Sequence, residues 1–595
     1  MNEQNEPFRI HDFEPSILSL GSHPGIIQSM LDYSYCVGQK APNIVGIIGS
    51  GRKQERYFWG EKEIVIRVYK TIDRIPKEII ENVTAVLNVQ SARRVKQSSL
   101  EAIEVLPKLK VLNIFAEQVP ENHSLDIAEK AHTKGILVAG PASVGVLIPG
   151  ALKLGAIGGT RYPQLVSAKI FQPGNTAVIS TSGGMVNELI HTVTGNGLGV
   201  SFAIALGGDR YPVASPSDAF LIAESDHATQ QIVYFGELGG EDEYQLAELI
   251  KTGKVTKRVI AYIAGTVAEL FDEPPQFGHA KAMASTQNET AKAKKEALRS
   301  VGVQIIDVFA DLGQEIIKNQ EVRNMDQEHN EIGDRHKSLI ISHISGDVDG
   351  DVHVLNKDLL ALVEGNSLAS LYISLLLGTQ ITSQKLIDFM DYILRLLSDH
   401  GPYTAGAVNT IVSARAGKDL ASSLTSGILT IGPRFGGAVN GAADAWLRGA
   451  SEQADAKEFV SSFTSNGGII PGIGHKKYRI DTPDPRVSVL IAKFSNNENG
   501  DTYLNFAKSV EAVTTGKKGN LILNVDGTIA AVLLDLIESE LHYNHEQLQE
   551  LIDIEFFNAI FILSRSAGLI AHYLDQRRND EGLLRLSDNE ITYIP

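Results

Sequence analysis

An α/β protein that gives way to an all-helical one is what this sequence predicts, on three observations. Up to about residue 317, short β-rich runs alternate with helical stretches. Several of those runs end in Gly, Ser or Pro, as strands do where they feed turns at the edge of a parallel sheet. From about residue 355 the apolar pattern lengthens into helical spans separated by glycine breaks.

With 595 residues the chain exceeds one core, and about four units of roughly 150 residues are expected. A composition of 43% apolar and 21% charged residues is that of a globular protein. Against 71 acidic residues stand 54 basic ones, and the net charge of −17 argues against a nucleic-acid binder while leaving room for local anion sites. One cysteine, Cys36, excludes an intrachain disulfide and a cysteine-based zinc cluster, and reads as a small buried apolar residue. The opening MNEQNEPFRIHDFEP lacks the basic lead and apolar core of a signal peptide. The best apolar run, 359–377, contains Glu364 and Asn366, so no membrane span is expected and a cytoplasmic location is.

In chain order, strands are expected at 44–48, 63–69, 85–89, 111–115 and 136–138. The first turn, Gly49-Ser50-Gly51-Arg52-Lys53, is half of a dinucleotide fingerprint, and Arg52, Lys53 and Arg93 either hold phosphates or are solvated. A second α/β unit has a strand at 176–179, the turn Ser180-Thr181-Ser182-Gly183-Gly184 and a helix from Met185. Small residues there let backbone N–H groups approach an anion. Strands at 201–205, 232–235 and 259–263 carry Gly207-Gly208-Asp209 and Glu237-Leu238-Gly239-Gly240 near their ends. Glu237 is either a polar rim residue or the partner that sets an imidazole's tautomer. Phe277-Gly278-His279-Ala280 offers that imidazole, with little shielding from its neighbours. Thr286 and Glu289 then form a capping-box pattern ahead of a helix at 291–300, closed by Gly302.

Residues 319–336 are polar and poor in large apolar groups and read as a linker. Asp347, Asp349 and Asp351 hint at calcium, but the glycine falls too early and the twelfth-position Glu is missing, so a solvated turn is expected. Helices follow at 359–377, 384–398, 405–416, 529–541 and 545–552. Three polar groups interrupt them: Asp399-His400-Gly401, Gly472-Ile473-Gly474-His475 and Asn524-Val525-Asp526-Gly527. With Arg486, Arg565 and Arg585 they suit proton transfer on a polycarboxylate, although caps and interhelical salt bridges explain each residue separately. No Walker A, HExxH or G-x-S-x-G pattern and no metal cluster appears, so no metal site is expected in this chain.

Residues ~25–317 resemble the α-subunit of succinyl-CoA synthetase through GPASVG (140–145), STSGGM (180–185), IALGGDRYP (204–212), GELGG (236–240) and FGHA (277–280). Residues ~355–595 resemble citrate synthase through GIGHKKYRIDTPDPR (472–486) and SRSAGLIAHYLDQ (564–576). Both in one chain, with GKDLASSLTSGILTIG (417–432) and LILNVDG (521–527), resemble the ATP-citrate lyase family, in the α-subunit of its split form. The resemblance implies a CoA-binding Rossmann-like domain over 1–155 and a flavodoxin-like CoA-ligase domain over 156–318. A polar linker over 319–340 and an all-α citrate synthase-like domain over 341–595 would follow.

The resemblance also implies roles. His279 would be a transient phosphohistidine oriented by Glu237, with Ser182, Gly183 and Gly184 cradling phosphate and citryl group. CoA, a substrate, would lie near Gly51, Arg52, Ser91 and Arg93. His400, His475 and Asp526 would cleave citryl-CoA held by Arg486 and Arg565, and Arg585 would reach a neighbouring subunit. ATP and Mg2+ would sit on a separate ATP-grasp β-subunit, in an α4β4 assembly around a tetrameric core of citrate synthase-like domains. Where citrate synthase has a histidine before a Gly-Gly pair, this chain has Phe435, which cannot move a proton and favours cleavage over synthesis. Competing readings are a succinyl-CoA-synthetase-like ligase with a scaffold C-terminal half, a citrate synthase with a regulatory front end, and a non-catalytic CoA-sensing assembly module.

Overall fold

A computed structural model describes residues 13–267, 271, 282–284, 286–320, 328–432, 438–465, 467–495 and 500–594. It divides into two units, Met1–Leu339 and Ile340–Pro595. His279 and its FGHA neighbours lie outside the described residues, as does Phe435.

The first unit holds two seven-stranded sheets. One runs Gln54–Trp59, Lys62–Tyr69, Ile44–Ile48, Ile17–Leu20, Ala85–Asn88, Val111–Ile114, Leu137–Ala139 across its width. Every neighbouring pair is parallel except the hairpin of the first two. Its central strand, Ile17–Leu20, is one that periodicity does not reveal: four residues, all buried, too short to alternate. From that strand the chain steps to Ile44–Ile48 on one side and later to Ala85–Asn88 on the other, which opens a crevice at its C-terminal end. The second sheet runs Gln304–Ile305, Arg258–Ala264, Gln231–Glu237, Thr176–Ser180, Val200–Ala205, Gly145–Ile148, Leu152–Gly155. Its switch point falls at Thr176–Ser180, which pairs parallel with Val200–Ala205 on one side and Gln231–Glu237 on the other. The strands of residues 145–155 pair antiparallel into this second sheet, so the chain changes sheet before the expected division at 155/156.

Part of the stretch expected as a linker is ordered against the first unit. The Asn330 N–H donates to the Cys36 carbonyl (3.0 Å), and its amide to the Tyr35 carbonyl (2.9 Å). The His329 ring stacks on Phe171 at 4.5 Å. Arg335 pairs with buried Asp32 (2.5 Å), donates to the Gly60 carbonyl (2.9 Å) and lies over Phe58. Polarity here means carbonyls and carboxylates satisfied in place, which composition cannot distinguish from solvation.

The second unit begins with a three-stranded antiparallel sheet, Ser345–Val348, Asp351–Val354 and Lys357–Asp358, whose first turn contains the Asp349-Gly350 step. Helices follow. The expected single helix at 359–377 is two, Leu359–Gly365 and Leu368–Leu377, because Asn366 is extended and Ser367 caps the second from its hydroxyl. The centre of this unit is Val525–Leu541, buried from Gly527 to Ile537 and apolar there except for Thr528 and for Asp535, whose carboxylate accepts the Tyr503 and Leu504 N–H groups. Helices Ala438–Ser451, Thr502–Lys517 and Pro485–Phe494 pack around it. The last long helix is Phe556–Arg578, 23 residues, of which the motif at 564–576 is a part.

Candidate functional site

In the helical unit, Asn524 caps Val525–Leu541 by accepting the Gly527 N–H (3.0 Å). Asp526 therefore sits in the first turn of this helix without being its cap. The same Asn524 donates its amide to the Gly474 carbonyl (3.1 Å) and its backbone N–H to that of Gly472 (2.9 Å). Residues 472–475 thus zip along 520–524, with Gly474 N–H on Ile522 O (2.7 Å) and His475 N–H on Asn520 O (3.0 Å). A Cβ on Gly472 would stand 2.6 Å from the Gly527 Cα, so glycine at both positions is what lets this loop reach the helix start. Gly474, at φ +103°, turns the loop where other residues would be strained.

The Nδ1 of His475 accepts the N–H groups of Lys477 (3.0 Å) and Tyr478 (2.9 Å). In the neutral ring the proton consequently sits on Nε2. Burial holds this imidazole below its ordinary pKa, helped by Arg486 and Lys477 and opposed by Asp484. His475 is a neutral donor. Arg486 follows the cap Asp484, whose carboxylate takes its N–H (3.0 Å), Nε (3.0 Å) and Nη2 (2.7 Å). Burial works against the Asp484 charge, but these bonds hold its carboxyl below the usual range.

Arg565, on Phe556–Arg578, is 5% exposed. Its guanidinium lies over Phe561 at 5.0 Å, and its Nε and Nη1 have no hydrogen-bond partner. Buried donors left unpaired are costly, and a carboxylate is the acceptor that relieves them. His400 is lowered in pKa by burial and then by the charges of Arg486 and Arg565. Burial pushes the Asp526 carboxyl up to about 6 against the pull of the same two arginines. His400, His475, Asp526, Arg486 and Arg565 are thus linked through one another's charges: two imidazoles held toward the neutral form, a carboxyl of raised basicity and a buried cation with open donors. Arg585 is exposed beyond the last long helix, outside this cluster.

In the first unit, Glu237 ends the strand Gln231–Glu237. A small cavity there is lined by Thr181, Gly207, Gly208, Glu237, Gly239 and Asp242. Ser182, Gly183 and Gly184 form the cap and first turn of the helix Gly183–Gly195, two residues earlier than the expected start at Met185. A Cβ on Gly184 would meet nothing within 4 Å, so the helix N-terminus is open to a ligand. Sequence reasoning missed Lys294 and Glu243, an ion pair (2.5 Å) with both side chains at 2% exposure or less. Lys294 also donates to the carbonyls of Glu237 (2.8 Å) and Gly239 (2.6 Å), clamping the turn that carries Glu237. Gly236 makes room, since a Cβ there would stand 2.6 Å from a Glu243 carboxylate oxygen. The capping box of Thr286 and Glu289 opens a 3-10 turn, and Thr290 separately caps Ala291–Ser300.

At the crevice of the first sheet, Gly51 (φ +95°) and Arg52 follow Ile44–Ile48, while Ser91 stands at the N-terminal boundary of Ala92–Val105 with no side-chain capping bond and Arg93 is exposed in the first turn. Between them lies Gly21-Ser22-His23, also missed, the turn after the central strand. Gly21 there has φ +95° and a Cβ would meet Val89 at 3.1 Å. The signal available was a glycine followed by Pro24-Gly25 at a helix start. Among the described residues no group of three or more His, Cys, Asp and Glu is placed to hold a metal ion.

Residues 179–304 match the CoA-ligase family and residues 279–587 the citrate synthase C-terminal domain family. ATP-citrate synthase subunit 1 of Sordaria macrospora is 36% identical over 96% of this chain and 88% of its own length. A probable ATP-citrate synthase of Caenorhabditis elegans is also 36% identical over 96% of this chain, which spans only 54% of that relative. Among solved structures, an aspartate-to-alanine variant of Methanosaeta concilii ATP citrate lyase in complex with (3S)-citryl-CoA is 34% identical. It aligns over 98% of this chain and 97% of its own with a TM-score of 0.52.

Proposed function

The chain belongs to the ATP-citrate synthase family, and from that membership we propose that it works with a partner subunit to convert citrate, CoA and ATP into acetyl-CoA, oxaloacetate, ADP and phosphate. The observation that carries the reading is the cluster of the helical unit, where a buried arginine with unpaired donors acts electrostatically on a carboxyl of raised pKa, and Arg486 links that carboxyl to a neutral imidazole donor. That set matches a citryl thioester: carboxylates for the arginines, an oxygen for His475, a proton for Asp526.

The cleavage is a retro-Claisen step. The citryl hydroxyl loses its proton as the C–C bond breaks, which leaves oxaloacetate and the enolate of acetyl-CoA, and a proton returns to that enolate carbon. Because Nδ1 of His475 is occupied by two backbone N–H groups, its Nε2 carries hydrogen and cannot take a proton from the neutral state. It serves instead as a hydrogen-bond donor to an oxygen that gains charge. Asp526 is the proton acceptor, ionised at neutral pH yet more basic than an exposed carboxylate. His400 and Arg565 grip the citryl carboxylates, with Arg486, anchored by Asp484, adding positive charge.

The first unit makes citryl-CoA in this reading. His279 receives phosphate from ATP on an ATP-grasp partner and passes it to citrate, and the CoA thiol displaces phosphate from citryl phosphate. The open helix start at Gly183-Gly184 and the clamped Glu237 support an anion site, and the crevice around Gly21, Gly51 and Ser91 supports CoA binding. Assembly as α4β4 around a tetrameric core, with Arg585 reaching a neighbour, belongs to the same proposal. The test is to give the purified chain citryl-CoA without ATP and follow oxaloacetate through malate dehydrogenase. Release is expected and should survive His279→Ala, which removes only ATP-dependent turnover. A folded, CoA-binding chain that releases nothing refutes the assignment of cleavage to the helical unit.

A further inference from the structure

Phe556–Arg578 grips the end of Gln384–Leu396 along one face. The Ser564 hydroxyl donates to the Leu394 carbonyl (2.6 Å). Four residues on, Gly568 lies against Ser398 and Asp399; a Cβ there would collide with the Ser398 carbonyl and stand 3.0 Å from the Asp399 Cβ. Four further on, His572 Nε2 bonds one Asp399 carboxylate oxygen (3.0 Å). The other oxygen accepts the Gly401 N–H (3.0 Å). The carboxylate next to His400 is thus pinned at both ends, by a residue outside the pocket and by its own turn.

That pinning matters because of what stands nearby. Arg565 projects from the same helix, buried, with Nε and Nη1 unpaired. Asp399 already acts on its charge through space. The Asp399 side chain is 45% exposed, so once released it is free to turn, and the open guanidinium is the cation that draws it, by donors a substrate carboxylate needs.

We propose that His572 is a positioning residue that holds Asp399 away from Arg565 and so keeps the guanidinium available to an anionic substrate. It acts through Asp399 and touches no reacting atom. The inference rests on reading the helical unit as the citryl-CoA site.

The experiment compares full-length His572→Leu, His572→Gln and the double variant His572→Leu/Asp399→Asn with wild type for cleavage of citryl-CoA. His572→Leu should raise KM about tenfold, the scale of one charge-assisted hydrogen bond, with kcat changed less than about twofold by the transition-state argument for uniform binding. His572→Gln, whose amide still donates to Asp399, should recover most of the loss. In the double variant a neutral amide no longer competes for Arg565, so KM should return toward wild type although the His572 contact is still missing. A merely structural histidine would show loss in both leucine variants and a fall in kcat, which overturns the proposal. So does a crystal structure of His572→Leu with Asp399 still turned from Arg565. If wild type itself does not cleave citryl-CoA, the functional reading fails, and that crystal structure alone decides the Asp399 question.

Discussion

Asp526→Asn should abolish cleavage and make the protein more stable. Burial holds this carboxyl at about 6, against 3.8 for an ordinary aspartate, even with two arginines pulling it down. Because its folded pKa is raised, the fold favours the protonated form. The penalty is absent below 3.8, grows as pH rises through the window to about 6, and is complete above it. The gap corresponds to up to about 3 kcal/mol at pH 8 and about a third of that at pH 4.5. Asn keeps the shape and removes the charge, at a loss of about 0.5 kcal/mol of favourable interaction with the helix start. Denaturant unfolding of the helical unit, read by the fluorescence of buried Trp446, whose indole donates to the Gly527 carbonyl, should show the variant about 2 kcal/mol more stable at pH 8. Its advantage should shrink as pH falls. A variant less stable at pH 8, or one whose advantage does not change with pH, refutes the claim that ionised Asp526 is held against desolvation.

Other perturbations follow from the same geometry. The pH profile of wild-type kcat/KM on citryl-CoA should fall on the acid side near pH 6, where Asp526 gains its proton, with no separate loss at neutral pH from His475. His475→Ala should lower kcat about 100- to 1,000-fold, as loss of a donor to developing charge does, while citryl-CoA still binds by calorimetry. Gly527→Ala places a methyl 2.6 Å from the Gly472 carbonyl oxygen; thermal unfolding should show about 1–3 kcal/mol of overpacking, and cleavage should fall further than stability explains. Lys294→Met strands the Glu243 carboxylate in the interior and should cost about 3–5 kcal/mol in the first unit, part of it restored by adding Glu243→Gln in the same melt.

What the sequence determined by itself is local. Alternation of short β-rich and helical runs predicts an α/β half, because strand and helix periods are properties of neighbouring residues. Glycine pairs mark where backbone must approach closely: Gly472 and Gly527, named only as parts of two separate motifs, turn out to touch each other. Motif residues also foretell the cluster of His400, His475, Asp526, Arg486 and Arg565. Tertiary structure decided what those residues can do. That His475 is a donor depends on two N–H groups of its own loop, that Asp526 is basic depends on the burial of the helix start that carries it, and that Asp399 is held where it is depends on His572, 173 residues away in the chain. The central strand Ile17–Leu20 and the Lys294–Glu243 clamp stayed hidden for the same reason. A four-residue buried strand has no period, and a lysine with ordinary helical neighbours carries no sign that it will lie in the interior. Desolvation and hydrogen-bond partners across the fold set protonation and charge, and they come from residues far apart in the chain.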